Sequence, residues 1–305
     1  MNNYKRIIIT GADGMLGRSF QEVLRLKYPS ADVKALSRHA LDVTNRLGVM
    51  AYAEYNPELI IHAASKVDAD FCENNYEEAR DIIINGTNNV IELAEACNAT
   101  VLYPQTFLIF DGKVNPICEL TVPNPLSNYG LLKLEAENAV IESDINSLII
   151  RMGGFFGGNE KDKNFVGTII RLIFEKVKNG SHDLEVGDRV WQPTYTFDLA
   201  LNCLLLLKNG KSGIYNMSSL NSASFYQLTI KIVQYLGLEN HVNVIEVGSQ
   251  QFDDEEAAER PGNAILSNDK LSSAGMNVQR NWEQSLLEYL SSDYYINLIK
   301  NGENV

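Results

Sequence analysis

Short apolar runs alternate with amphipathic stretches through the first half of the chain. Residues 6–10, 32–36, 59–62 and 100–103 read as strands, while 15–26, 47–55 and 77–96 carry the three-to-four-residue apolar spacing of helices. A further strand follows at 147–151. This βα alternation predicts an α/β fold built on a doubly wound parallel sheet of Rossmann type, with ligands bound at the carboxyl ends of its strands. The texture changes after Arg151. Gly153-Gly154 and Gly157-Gly158 come close together, residues 160–163 are charged, and 253–256 form an acidic run. Within this half, 199–207 reads as a buried helix, 213–217 as a strand, and 225–236 and 282–290 as helices. Residues 1–150 are therefore expected to form the sheet domain and 151–305 mainly a smaller α+β lobe.

The turn after the first strand reads Thr10-Gly11-Ala12-Asp13-Gly14-Met15-Leu16-Gly17. Glycines at 11, 14 and 17 between a strand and a helix allow backbone amides to approach a pyrophosphate, and the helix starting near Met15 aims its N-terminal dipole at it. Asp13, Met15 and Leu16 lie in the same turn and join the glycines as cofactor-binding candidates. At the end of the second strand, Leu36-Ser37-Arg38 offers a hydroxyl and a guanidinium where an acid would favour NAD(H). Arg38 suits a bidentate contact with a 2′-phosphate, so NADP(H) is favoured and NAD(H) remains open; a solvated surface arginine is the plain alternative.

Downstream, Tyr129 and Lys133 are four apart on a helical stretch and so share one face. A phenol with an ordinary pKa near ~10 is protonated at neutral pH and can hand its proton to a carbonyl oxygen, with the lysine stabilising the anion left behind. Two surface residues would show the same spacing. Their position after a glycine loop favours the chemical interpretation.

Composition narrows the remaining classes. With 305 residues and 45% apolar content, the chain can bury one large core or two unequal ones. A net charge of −13 disfavours nucleic acid and anionic membranes, yet leaves room for a small anionic ligand held by a few placed cations. Cys72, Cys97, Cys118 and Cys203 form no spaced pair, and the four histidines are equally dispersed, so neither a disulfide framework nor a metal site is expected. No apolar run approaches the ~20 residues needed to span a bilayer, and Ile7-Ile8-Ile9 is too short for a signal peptide, so a cytoplasmic location is expected.

Further motifs extend the pattern: Leu41-Asp42-Val43-Thr44-Asn45, His62-Ala63-Ala64-Ser65, Phe110-Asp111-Gly112, Gln192-Pro193-Thr194-Tyr195, and Arg260-Pro261 with the later Asp269-Lys270-Leu271. In this order and spacing the chain resembles the extended short-chain dehydrogenases/reductases, and more narrowly the dTDP-4-dehydrorhamnose reductase group, over almost its whole length. The resemblance implies that Asp42 and Val43 flank the adenine, that Ala63, Ala64 and Ser65 line the dinucleotide, and that Thr106 completes a Thr/Tyr/Lys catalytic set. It also implies interleaved domains, the chain rejoining the cofactor domain at about 194–215.

The family's Ser-Thr-Asp-Tyr-Val-Phe-Asp-Gly appears as Gln105-Thr106-Phe107-Leu108-Ile109-Phe110-Asp111-Gly112, so an acid has become Phe107. Its Arg-Thr-x-Trp-x-Tyr-Gly appears as Arg151-Met152-Gly153-Gly154-Phe155-Phe156-Gly157, which removes an indole expected to face the sugar. Phe107, Gly153, Gly154, Phe155, Trp191, Tyr195 and Arg260 are the substrate-side candidates. Strand-end packing competes with pocket lining for Gly153, Gly154 and Phe155, and an ion pair competes with diphosphate binding for Arg260.

The activity implied is NADPH-dependent reduction of a 4-keto group on a nucleotide-linked deoxysugar, a small-molecule partner, with monomer and homodimer both open. A nucleotide-sugar epimerase and a catalytically silent NADP(H)-binding subunit, like the regulatory subunit of methionine adenosyltransferase, are the alternatives. Phe107-Leu108 supplies neither the acid nor the base a dehydratase needs.

Overall fold

The structure, a computed structural model, describes residues 4–252 and 256–302; the acidic run at 253–256 falls outside them apart from Glu256. The chain enters through β1 (Arg6–Thr10), α1 (Met15–Lys27) and β2 (Asp32–Leu36). The short helix α2 (Arg46–Met50), β3 (Leu59–His62) and α3 (Ala69–Asn74) follow. A long helical stretch comes next, made of α4 (Tyr76–Arg80), a π turn (Asp81–Asn85) and α5 (Gly86–Cys97). Then come β4 (Thr100–Thr106), α6 (Asn128–Glu142) and β5 (Ser147–Met152). With β10 (Gly213–Met217) from far along the chain, these strands build one six-stranded sheet in the order β10-β5-β4-β3-β1-β2, all neighbours parallel.

The apolar runs are continuous because both faces of this sheet are covered. Successive side chains point to opposite faces. Ile8, Ile60, Val101 and Ile149 pack with Val90 and Leu93 of α5 and with Leu132 and Ala136 of α6. Their neighbours Ile7, Ile9, Ile61, Leu102 and Ile150 pack with Phe20 and Val23 of α1 and with residues from a later helix, Leu199, Cys203 and Leu206.

Two elements differ from the sequence pattern. The helix expected over 47–55 tightens to a 3₁₀ turn at Ala51–Tyr55, closed by Asn56 in the left-handed region at φ 52°. The strand expected to stop at 103 runs on to Thr106, because a proline in this ladder forfeits only one donor and Pro104, Gln105 and Thr106 stay in register with Ile150, Arg151 and Met152.

Beyond β5, the chain forms β6 (Phe155–Phe156), α7 (Phe165–Lys178), β7 (Asp183–Gly187), β8 (Val190–Trp191), β9 (Thr194–Tyr195) and α8 (Thr196–Lys208). After β10 come β11 (Ala223–Ser224), α9 (Phe225–Leu236), β12 (Asn243–Val247), α10 (Asp269–Ser273), α11 (Trp282–Leu290) and α12 (Asp293–Gly302). A second apolar centre gathers Ile169, Ile170 and Ile173 of α7, Leu228 and Ile232 of α9, and Trp282 and Leu286 of α11. Short two-stranded pairings, β7 with β12, β8 with β11 and β6 with β9, tie these helices together. Among the described residues, no helix is long and apolar enough to cross a membrane.

Candidate active site

The glycine loop is shaped by close backbone approach. Gly11 sits at φ +64°, and a Cβ there would come within 2.6 Å of the Ala64 nitrogen, so the turn after β1 lies directly on Ala63-Ala64. A Cβ on Gly17 would overlap the Gly11 carbonyl oxygen and lie 2.8 Å from Ala12 Cα, so only glycine lets α1 start this near the turn. The Gly14 amide donates to the Gly11 carbonyl at 3.0 Å, and the Ala12 amide to Leu36 at 3.1 Å. Gly14 caps α1 without a side-chain hydrogen bond and the first turn carries no acid, which leaves its amides available to an anion.

His62 braces this corner from behind. Thr10 Oγ1 accepts from the Ala64 amide at 3.2 Å and donates to His62 Nδ1 at 2.9 Å, and His62 Nε2 donates to Thr87 Oγ1 at 3.2 Å, which itself donates to the Ile83 carbonyl. Burial, with the nearby Lys133 charge, holds His62 down at about 3, so it is a neutral strut. Along the same edge Ser65 Oγ is buried with no hydrogen-bond partner among the described residues. At the tip of β2, Ser37 is half-buried and Arg38 exposed. The Asp42 carboxylate accepts from the Thr44 amide and hydroxyl, which with the Arg38 charge lowers its pKa; Val43 is buried, its carbonyl held by Asn89 at 2.8 Å.

Tyr129 and Thr106 meet because the first turn of α6 lies on the end of β4. Ser127 caps the helix by accepting from the Gly130 amide at 3.3 Å. A Cβ on Gly130 would overlap the Leu108 carbonyl, so glycine permits this approach. Burial pushes the Tyr129 phenol pKa above its ordinary value, the Cys72 thiol adds to this, and the neighbouring Thr106 hydroxyl opposes it. Among the described residues the acceptors of Lys133 are the Tyr103 hydroxyl at 2.8 Å and the Pro104 carbonyl at 3.0 Å, not the Tyr129 hydroxyl. Its side chain crosses the Tyr103 ring and ends against the prolonged strand. Burial brings the ammonium down to about 7, with Glu137 opposing the shift.

Two supporting residues were not singled out from the sequence. Gln105, 1% exposed, donates to the Lys133 carbonyl at 2.8 Å and accepts from the Thr106 amide at 2.8 Å, fastening helix to strand. Glu137 continues the Tyr129, Lys133 ladder by one more turn and is buried in an ion pair with Arg151 of β5. Its four-residue spacing was the signal that could have found it.

The substrate-side candidates are distributed more widely. Gly153 is wedged where a Cβ would lie 3.0 Å from the Gln192 carbonyl and 3.2 Å from Thr194 Oγ1. Gly154 abuts the Cε3–Cζ3 edge of the Trp191 ring, and Phe155 pairs with Thr194 across β6 and β9. Phe107 opens a 3₁₀ turn after Thr106 and packs on the Ile109, Phe110 and Leu266 cluster. Tyr195 is stacked with Phe156 at 5.4 Å and tilted against Tyr289 at 5.7 Å, and burial pushes its hydroxyl up to about 12. Arg260 is committed to Asp70 at 2.7 Å, to Glu256 at 3.1 Å and to the Ala258 carbonyl.

A glycine cradle at the head of a parallel sheet, with Thr106, Tyr129 and Lys133 on the adjoining strand and helix, defines an α/β protein of the extended short-chain dehydrogenase/reductase type. The chain belongs to the RmlD substrate binding domain family, whose model matches residues 5–295. It is 31% identical to a dTDP-4-keto-6-deoxy-D-glucose reductase of Streptomyces niveus, over 93% of this chain and 96% of that protein. It is 28% identical to methionine adenosyltransferase 2 subunit beta of Danio rerio, over 90% and 87% respectively. A crystal structure of dTDP-4-dehydrorhamnose reductase from Bacillus anthracis in complex with NADP superimposes with a TM-score of 0.86 at 30% identity, covering 94% of this chain and 98% of that one.

Proposed function

We propose that this protein is an NADP(H)-dependent reductase that converts a 4-keto group on a nucleotide-linked deoxysugar to an alcohol. The observation that carries this reading is the placement of the buried Tyr129 and Lys133, on the first turns of α6, against the end of β4 that carries Thr106. The residues present fit a dinucleotide. Cβ atoms at 11 and 17 would block the turn, the α1 amides carry no side-chain cap, and the Ser65 hydroxyl has no partner among the described residues. Gly11, Asp13, Gly14, Met15, Leu16 and Gly17 would hold the pyrophosphate, Ser37 and Arg38 the 2′-phosphate, Asp42 and Val43 the adenine, and Ala63 to Ser65 the chain between.

A nicotinamide dinucleotide bound there would supply a hydride to the carbonyl carbon. Tyr129, a phenol protonated at neutral pH and kept so by burial, gives its proton to the carbonyl oxygen, so that C=O becomes CH–OH. Thr106 orients that oxygen by hydrogen bonding, and Lys133 stabilises the tyrosinate through space while Tyr103 and Pro104 fix its position. Gly153, Gly154, Phe155, Phe107, Trp191 and Tyr195 form the sugar side of this reading. Arg260 reaches a substrate diphosphate only in competition with Asp70 and Glu256.

The specific observation favouring a second reading is Phe107 in place of the family acid, in a chain that also matches a methionine adenosyltransferase subunit. Mixing the protein with NADPH and a panel of dTDP-4-dehydro-6-deoxysugars, while following absorbance of the reduced cofactor, separates the two. Oxidation with at least one keto sugar supports the reductase; tight NADPH binding with no oxidation by any supports the silent subunit.

A further inference from the structure

Gly154 lies two residues beyond Met152, the register partner of Thr106, and so follows the end of β5 at the strand-end crevice. A side chain at 154 has no room. An ideal Cβ built there overlaps the Cε3 and Cζ3 atoms of Trp191, against the edge of the six-membered ring of the indole. The ring is delivered from β8, which pairs with β11 through Trp191 and Ala223. It is held edge-on by Phe165 at 6.3 Å and by Phe225 at 5.5 Å, and is 6% exposed. Its Nε1 is buried and has no hydrogen-bond partner among the described residues. An enclosed donor without an acceptor is unfavourable, and a hydroxyl or carbonyl oxygen brought against the ring would relieve it.

We propose that Trp191 supplies, from a strand 37 positions further along the chain, the indole wall that position 154 lacks, and that the Gly154 and Trp191 pair sets specificity for the sugar ring of the substrate. This rests on the reductase reading for its substrate, whereas the steric half does not. The two residues form one unit: glycine at 154 is required because the ring is there, and the ring is fixed because 154 is glycine. Hexose rings present C–H faces to an indole and oxygens to its N–H, so one side chain serves both contacts.

Thermal unfolding and substrate kinetics of Gly154→Ala, Trp191→Gly, Trp191→Phe, the Gly154→Ala/Trp191→Gly double variant and the exchanged Gly154→Trp/Trp191→Gly variant test this. Gly154→Ala should lower the melting temperature by several degrees in the wild-type background and by about one degree or less when Trp191 is already glycine. Equal costs in the two backgrounds would overturn the pairing. Trp191→Gly should raise KM for the sugar nucleotide about tenfold or more while KM for NADPH stays within about twofold; Trp191→Phe should fall between, and the exchanged variant should recover part of the loss. A lower melting temperature with unchanged KM would make Trp191 a core residue only. If the wild type oxidises no NADPH, the reductase reading fails separately, and calorimetric binding of the sugar nucleotide replaces KM. Weakened binding by Trp191→Gly would then support the proposal, and unchanged or absent binding would overturn it.

Discussion

Replacing Lys133 by methionine should stop turnover and at the same time change how stability depends on pH. The ammonium is 4% exposed, and its pKa falls from an unfolded value of 10.5 to about 7 in the folded chain. Folding therefore favours the neutral amine. The penalty for burying the charge is fully present below about pH 7, shrinks as pH rises through the window between about 7 and 10.5, and vanishes above it. A fall from 10.5 to about 7 corresponds to about 5 kcal/mol at the acid end, of which only about 1 kcal/mol remains at pH ~9.5.

Methionine carries no such penalty but strands the Tyr103 hydroxyl and the Pro104 carbonyl, a pH-independent cost of about 1–3 kcal/mol each. Urea unfolding of both proteins at pH ~6 and pH ~9.5 removes that constant cost in the double difference. The wild type should gain about 3 kcal/mol on Lys133→Met between the two pH values. A double difference below about 0.5 kcal/mol would refute the buried ammonium, whatever the effect on catalysis.

The other predictions concern parts of the same site. Gly17→Ala should weaken NADPH binding at least about tenfold by calorimetry, because the new methyl meets the Gly11 carbonyl and Ala12 backbone rather than a side chain that can swing away. Glu137→Leu leaves Arg151 buried without its carboxylate and should cost about 3–5 kcal/mol in chemical denaturation, with Glu137→Leu/Arg151→Met recovering much of it. Arg38→Ala should lower affinity for NADPH more than for NADH, read by fluorescence titration of both; equal losses would remove the 2′-phosphate from its role.

The central sheet was legible because its inner strands are apolar on both faces and bounded by turns, as 6–10 and 59–62 illustrate, whereas the edge strand 32–36 shows only Val33, Ala35 and Leu36. The glycine loop was legible for a related reason, since close backbone contact restricts positions 11 and 17 to glycine whatever the distant sequence. Helix α7 was missed although Val166, Ile169, Ile170 and Ile173 form an apolar stripe, because the glycines and charges before it drew attention to loop character. Strands β7 and β12 lie far apart in sequence, half their side chains face water, and neither shows its partner locally. The direction of Lys133 was equally hidden. Helical spacing places it beside Tyr129, but its acceptors lie on a strand whose extension past Pro104 the local pattern argued against. Arg260 shows the same limit, its partners Asp70 and Glu256 being a matter of tertiary position.

The most direct measurement is single-turnover oxidation of bound NADPH by a dTDP-4-dehydro-6-deoxysugar in wild type and in Tyr129→Phe, with NADPH affinity measured on the same samples. Wild-type oxidation, a loss of at least about 10²-fold in Tyr129→Phe, and cofactor affinities within about threefold of each other are the results this account predicts. Turnover in Tyr129→Phe at the wild-type rate, or a wild type that binds NADPH and never oxidises it, would contradict it.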